Sequence, residues 1–267
     1  MTAWTEGDVD ARGVRIHFHR IGSGGRPAVV LAHGFSDNGL CWSRTAQALE
    51  ADYDVVMIDA RNHGGSATAT GDLSDLAADV AAIIVGLELD RPAVIGHSMG
   101  AATVAELAAT RPDLVSRLVL EDPPWRDGPD EEAASARLRR DEVRAYLRSF
   151  AGMTDVEIME LGHRQHPDWN DIEFPAWIAA KRQVREQAAD GLGLAGWSGV
   201  IDLIQCPTLL VHGDPDRGGI VTAALARRLA DANDRITAHE IEGTGHNIRR
   251  ENFDHYIEVV GEFLRST

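Results

Sequence analysis

Cysteine is nearly absent: Cys41 and Cys206 are the two in 267 residues. A small disulfide-stapled scaffold is thereby excluded, because such folds need several bridges to make up for a thin core. The two lie far apart in the chain and read as reduced core thiols. Long apolar runs are missing too; none approaches the roughly 20 residues that a membrane-spanning helix requires. Positive charge is scarce, since 26 Lys and Arg stand against 42 Asp and Glu for a formal net charge of −16. Nucleic acid and anionic membrane are excluded as partners, because a polyanion gains nothing by approaching another; the acidity reads as solubility. Repeats and low-complexity tracts are also lacking. Met1 to Asp10 is polar and acidic, with neither a basic nor an apolar segment of a secretory leader, so the expected compartment is the cytoplasm.

What is present is an alternation of short apolar runs with stretches of helical composition. A chain of this length builds one sizeable core with a modest insertion rather than two ordinary domains. Ala3 to Ile21 alternates weakly around Arg12-Gly13 and predicts an antiparallel hairpin. Pro27–Ala32 is a continuous apolar run, the pattern of a strand buried on both faces, and Asp54–Ile58, Ala93–Ile95, Leu118–Asp122, Pro207–Gly213 and Arg235–Ile241 are read as further strands. Helices are expected over Ser43–Glu50, Asp72–Leu89, the alanine-rich stretch up to Thr110-Arg-Pro112, Val221–Ala230 and Glu251–Leu264. The order predicts a mostly parallel, eight-stranded sheet with right-handed crossovers and helices on both sides. From Trp125 to Ile204 the alternation stops and the composition turns to Arg, Glu and Ala with scattered tryptophans. We therefore expect a core of residues 1–124 and 205–267, and a helical cap, 125–204, inserted after the sixth strand.

The chemistry centres on Gly96-His97-Ser98-Met99-Gly100, which follows an apolar strand and opens a helix. Strand, tight turn and helix with glycines two before and two after a serine describe a nucleophile elbow, where a Cβ at either glycine would clash. A serine nucleophile needs a base, and the base needs an orienting acid. Of eleven histidines, His246 is the candidate base, because Gly243-Thr-Gly-His-Asn247 is a glycine-rich loop directly after the last strand. The acid is open at this level. Asp122 ends the strand after the elbow helix and is followed by Pro123-Pro124, whereas Asp214 and Asp216 lie in Gly213-Asp-Pro-Asp-Arg-Gly-Gly219; each choice keeps the order Ser, Asp, His.

Ser98, His246, the His33-Gly34-Phe35 turn and the order of strands together resemble the α/β-hydrolase family over essentially the whole chain. That resemblance implies an oxyanion hole made of the backbone N–H groups of Phe35 and Met99. Leu120-Glu-Asp-Pro-Pro124, Gly213-Asp-Pro with Gly219-Ile-Val-Thr222, and Gly245-His-Asn-Ile-Arg-Arg250 resemble more closely the N-formylmaleamate deformylase group of cofactor-free serine hydrolases. In that group the acid follows the strand after the elbow, which implies Asp122, with Asp216 as the alternative. The expected activity is cleavage of a small amide or ester through an acyl-enzyme, and the resemblance implies amide or formamide hydrolysis in aromatic or heterocycle catabolism. A broad carboxylesterase or lactonase, or a non-catalytic ligand receptor on the same fold, are the alternatives.

His33, His97 and Trp125 are expected to line the substrate pocket, and Arg61 and His63 to anchor a loop. The i, i+3 pair His163 and His166 has no third ligand, so neither metal nor organic cofactor is expected. Arg126, Arg182, Arg185, Arg249 and Arg250 are candidates for binding a carboxylate, or else solvated charges. The expected partner is a small-molecule substrate, and a homodimer is compatible with the sequence.

Overall fold

The computed structural model describes residues 4–22, 24–125, 133–191 and 197–266. Two strands at its edge, β1 (Thr5–Ala11) and β2 (Val14–Ile21), form the expected hairpin; Arg12 and Gly13 both take positive φ, 56° and 89°, as a tight two-residue turn requires. The apolar runs become β3 (Ala28–Ala32), β4 (Asp54–Ile58), β5 (Ala93–His97), β6 (Arg117–Glu121), β7 (Thr208–His212) and β8 (Ile236–Glu240). They make one eight-stranded sheet in the order β1-β2-β4-β3-β5-β6-β7-β8, antiparallel for β1–β2–β4 and parallel elsewhere.

Because side chains alternate along a strand, the sheet divides its apolar residues between two cores. Val30, Val56, Val94, Leu118 and Leu210 face one side, under α2 (Leu73–Gly86) and α3 (Met99–Thr110). Leu31, Val55, Ile95, Val119 and Leu209 face the other, with Trp42, Tyr256 and Val260 from the region of α1 (Ser43–Leu49) and the closing helix. Each such fully buried side chain contributes about 1.5–3 kcal/mol. The start of α2 is fixed by a capping box in which Asp72 and Asp75 satisfy each other's backbone N–H.

Between β6 and β7 lie α4 (Ala133–Ser149), α5 (Asp155–Gln165) and α6 (Phe174–Gln183), with a small core of their own in Phe150, Ile158, Trp169, Phe174, Trp177 and Ile178. After β7 come α7 (Ala223–Ala232) and, past β8, the single-turn α8 (Ile248–Glu251) and α9 (Phe253–Arg265). The expected closing helix is thus broken at Asn252, whose φ of −140° lies outside the helical region. Among the described residues no helix is long and apolar enough to cross a membrane.

The topology decides where a site can form. From β3 the chain moves one way to β4 and then returns past β3 to β5, so the loops leaving β3 and β5 part company and open a crevice at the carboxyl ends of those strands.

Candidate active site

Ser98 sits at that crevice, between β5 and α3, with φ 52° and ψ −117°. A non-glycine residue held there stores on the order of 1–3 kcal/mol of strain, offset by its surroundings. Its N–H donates to the Glu121 carbonyl at 2.9 Å, and its own carbonyl accepts from Ala102 N–H at 3.1 Å. The flanking glycines are required by contact: a Cβ at Gly96 would fall on the backbone of Gly100, and one at Gly100 on the backbone of Ala32.

His246 hangs from the loop between β8 and α8. Glu251 grips that loop from below, accepting from Gly245 N–H at 2.6 Å and Asn247 N–H at 3.2 Å. The imidazole Nδ1 lies 2.6 Å from Oδ2 of Asp122. Asp122 is wholly buried, with φ 41°, directly after β6. Its carboxylate accepts from Val221 N–H at 2.9 Å and from Ile220 N–H at 2.9 and 3.1 Å. Donation of Nδ1–H to Asp122 leaves the lone pair on Nε2, the nitrogen that a base needs free. Asp216 is exposed, and Asp214 spends a carboxylate oxygen on Asp216 N–H at 2.8 Å. The loop after β7 therefore brings amide donors to Asp122 rather than a carboxylate to His246.

Of the two expected oxyanion donors, Phe35 lines the cavity beside Ser98, and Met99 directly follows Ser98 at the start of α3. In a trans peptide the N–H points opposite to the preceding C=O. The Gly34 carbonyl accepts from Asp37 N–H at 3.0 Å and faces His33 Nδ1 at 2.8 Å, which turns the Phe35 N–H away from them. The Met99 N–H opens α3 and has no acceptor within the helix. Ser98, His246, Phe35 and His97 line one cavity of about 190 Å³ together with Tyr146, His166, Trp169, Trp177 and Arg250.

Two of the expected pocket residues lie elsewhere. His33 is buried beneath the crevice, its Nε2 accepting from Ala60 N–H at 3.0 Å, so it braces the loop instead of facing the cavity. Trp125 packs into the core with Leu120 and Ile201. His97 does face the cavity, with Nε2 2.9 Å from the His246 carbonyl; burial, then Arg249, pushes its pKa well below the ordinary value. Arg61 holds Asp79 with two hydrogen bonds, 2.7 and 2.8 Å, and His63 Nε2 meets the Phe35 carbonyl. His163 faces Asp171 at 3.1 Å while His166 stacks on Trp169 at 3.9 Å, so the two do not converge. Burial lowers the His166 pKa to about 4. Arg182 and Arg185 lie outside the cavity, and Arg126 lies outside the described residues.

The cap was expected to supply apolar walls for the pocket, and its Trp169 and Trp177 do so; sequence reasoning missed Tyr146 and His166 beside them and the buried ions beneath. Arg249 and Arg250, each 2% exposed, are not solvated charges. Arg249 bonds Glu121 through its N–H at 3.0 Å and its guanidinium at 3.2 Å, and also reaches Asp37 at 3.2 Å; Arg250 donates to Asp37 at 2.9 Å. Burial pushes the Asp37 carboxyl up, but Arg250, Lys181 and Arg249 outweigh it and hold the group far below the usual carboxylate range. Lys181 donates to the Ser36 carbonyl at 2.9 Å and hydroxyl at 2.6 Å, and burial lowers its pKa to about 8. The signal available in advance was the adjacency of Arg249 and Arg250 to His246.

Comparison with known proteins adds three findings and a family. A family model described as the alpha/beta hydrolase family matches residues 29–261. N-formylmaleamate deformylase from Pseudomonas putida is 25% identical over 284 residues, covering 97% of this chain and 96% of the relative. (E)-2-((N-methylformamido)methylene)succinate hydrolase from Acinetobacter baylyi is 24% identical, over 87% of each. The crystal structure of E-2-(acetamidomethylene)succinate hydrolase superposes with a TM-score of 0.80 at 20% identity, covering 99% of this chain and all of that one, which shows a common fold.

Proposed function

The chain belongs to the alpha/beta hydrolase family and is a hydrolytic enzyme; from that premise we propose that it cleaves a small amide or ester through an acyl-enzyme on Ser98. His246 Nε2 takes the Ser98 proton as Oγ attacks the carbonyl carbon, and the oxyanion is held by the Phe35 and Met99 amides. Each such donor is worth about 2.7–4 kcal/mol in the transition state. Asp122 keeps the imidazole in the Nδ1–H form and stabilises the imidazolium. His246 then protonates the leaving amine or alcohol, the C–N or C–O bond breaks, and water attacks the acyl-serine with His246 as base again. The observation that carries the reading is the 2.6 Å approach of His246 Nδ1 to a wholly buried Asp122, while His246 and Ser98 line one cavity.

The cavity beside Ser98, about 190 Å³, shares His166, Trp169, His246 and Asn247 with a second hollow of about 410 Å³, and together they fall within the ~300–1,000 Å³ of ordinary small-molecule sites. The relatives' names describe a deformylase and hydrolases of amido-methylene succinates. They support an amide carried on a short carboxylic acid, with Arg250, the arginine on the cavity wall, facing the carboxylate.

The test is covalent labelling by a fluorophosphonate, read by peptide mass spectrometry, beside turnover of formamides and N-acyl enamides against p-nitrophenyl esters. Labelling at Ser98, lost in Ser98→Ala, with cleavage of an amide is the expected result. Absence of label on wild-type Ser98 overturns the mechanism; ester turnover without any amide cleavage overturns the amide assignment.

A further inference from the structure

On the far side of the sheet edge, three side chains of the first hairpin converge without serving the crevice. His17 and His19 alternate with Phe18 on β2 and so share one face, and the register sets Glu6 opposite His19 and Asp8 opposite His17. His17 Nε2 and His19 Nδ1 each stand 3.8 Å from the same oxygen of Glu6. That is too long for a hydrogen bond, so Glu6 leaves both nitrogens unsatisfied. It is close to the spacing of ligand atoms around an ion: donors about 2.1 Å from a tetrahedral centre lie roughly 3.4 Å apart. The three ligand atoms lie within 4.8 Å of one another, the one such group of three among the described residues.

The nitrogens turned away from Glu6 are also faced by carboxylates. His17 Nδ1 lies 2.9 Å from Asp8 Oδ1, which fixes its proton there and leaves Nε2 with a lone pair. His19 Nε2 lies 3.8 Å from Asp59 Oδ2. A carboxylate hydrogen-bonded behind a ligating imidazole, as Asp8 is behind His17, is the arrangement that orients histidines and raises their basicity at metal centres; Asp59 stands too far from His19 to bond it directly. The rings are held as well: they meet edge to face at 4.9 Å, and a Cβ at Gly65 would come within 2.8 Å of the His17 ring.

We propose that Glu6, His17 and His19 form a binding site for one late transition-metal dication, Zn²⁺ or Ni²⁺ in class, with water completing its coordination. Two imidazoles and one carboxylate suit such ions and not Ca²⁺ or Mg²⁺, which take oxygen ligands. The ion would pin β1 to β2 at the open edge of the sheet. It has no part in the chemistry at Ser98.

The experiment is titration of the untagged, chelator-treated enzyme with Zn²⁺ by isothermal calorimetry, with the visible absorption of the Co²⁺ form as a second readout. One equivalent should bind, with a ligand-field spectrum showing nitrogen coordination. His19→Gln and Glu6→Gln should each weaken binding at least tenfold, and Asp8→Asn, which removes an orienting carboxylate, by about tenfold. Fluorophosphonate labelling of Ser98 at the wild-type rate certifies that each variant is folded. No binding by wild type at millimolar Zn²⁺, or binding unchanged in the folded Glu6→Gln/His19→Gln double variant, overturns the proposal.

Discussion

Replacing Asp122 by Asn removes one charge and reverses one donor, and the surroundings determine the cost. Three donors face the carboxylate: His246 Nδ1 at 2.6 Å, Val221 N–H at 2.9 Å and Ile220 N–H at 2.9 Å. An asparagine has one acceptor oxygen, so its NH₂ must oppose at least one of them. If the oxygen stays with the two backbone amides, the NH₂ meets Nδ1 and selects the imidazole tautomer protonated on Nε2. That ring cannot receive the Ser98 proton. For a serine hydrolase the wrong tautomer lowers turnover by about 10⁴, or roughly 5 kcal/mol of barrier. Folding should survive at a cost of about 1–3 kcal/mol for the mismatched buried groups. The assay is the pseudo-first-order rate of fluorophosphonate labelling, which needs no natural substrate, beside a thermal melt. Asp216→Asn, at an exposed position, should stay within about twofold of wild type, as surface substitutions do. A folded Asp122→Asn protein labelled within tenfold of the wild-type rate, or a larger loss in Asp216→Asn, would refute the assignment.

Two stability predictions follow from buried groups away from Ser98. Asp79→Ala strips Arg61, 4% exposed, of its two-bond partner and should cost about 3–5 kcal/mol in urea melts; a loss under about 1 kcal/mol would show the pair to be solvated. His63 has its pKa lowered from 6.5 to about 4, by burial first and by His33 second. The unfolded chain therefore binds a proton that the folded one refuses, and stability is full above pH 6.5 and falls as pH drops toward 4, by up to about 3 kcal/mol. Urea melts from pH 7 to 4.5 should be flatter for His63→Gln than for wild type, and parallel curves would count against the buried neutral ring.

The central strands were legible because strands buried on both faces are mostly apolar, as Val29–Leu31 and Val55–Ile58 are. The elbow was legible because Gly96 and Gly100 bracket Ser98 in a fixed pattern between an apolar run and a helical stretch, although the contact that demands Gly100 is with the backbone of Ala32 on a neighbouring strand. The choice between Asp122 and Asp216 could not be read locally: both are turn carboxylates beside prolines, and only the folded chain sets Ile220 and Val221 as donors to one of them. Trp125 looked like a pocket residue from its place after β6, yet its ring lies in the core with Leu120. Which cap aromatics form the pocket wall was hidden for a related reason. Which face of a short helix meets the crevice depends on how the helix docks, and Trp169 and Trp177 serve the cap's own core and the cavity at once.

Arg249 and its neighbours carry a consequence for how this enzyme can change. Glu121 adjoins Asp122, Asp37 follows Phe35 by two positions, and Arg249 follows His246 by three, so one guanidinium rivets together the three loops that bear acid, amide donor and imidazole. A loop grafted from a relative would strand an ion in a dry layer unless its partners came with it. The three loops are therefore exchangeable only as a block. The cap wall is tied to the same layer, because Trp169 lies against the Arg250 guanidinium at 4.5 Å and Trp177 against the Lys181 ammonium at 4.7 Å, and both cations face Asp37.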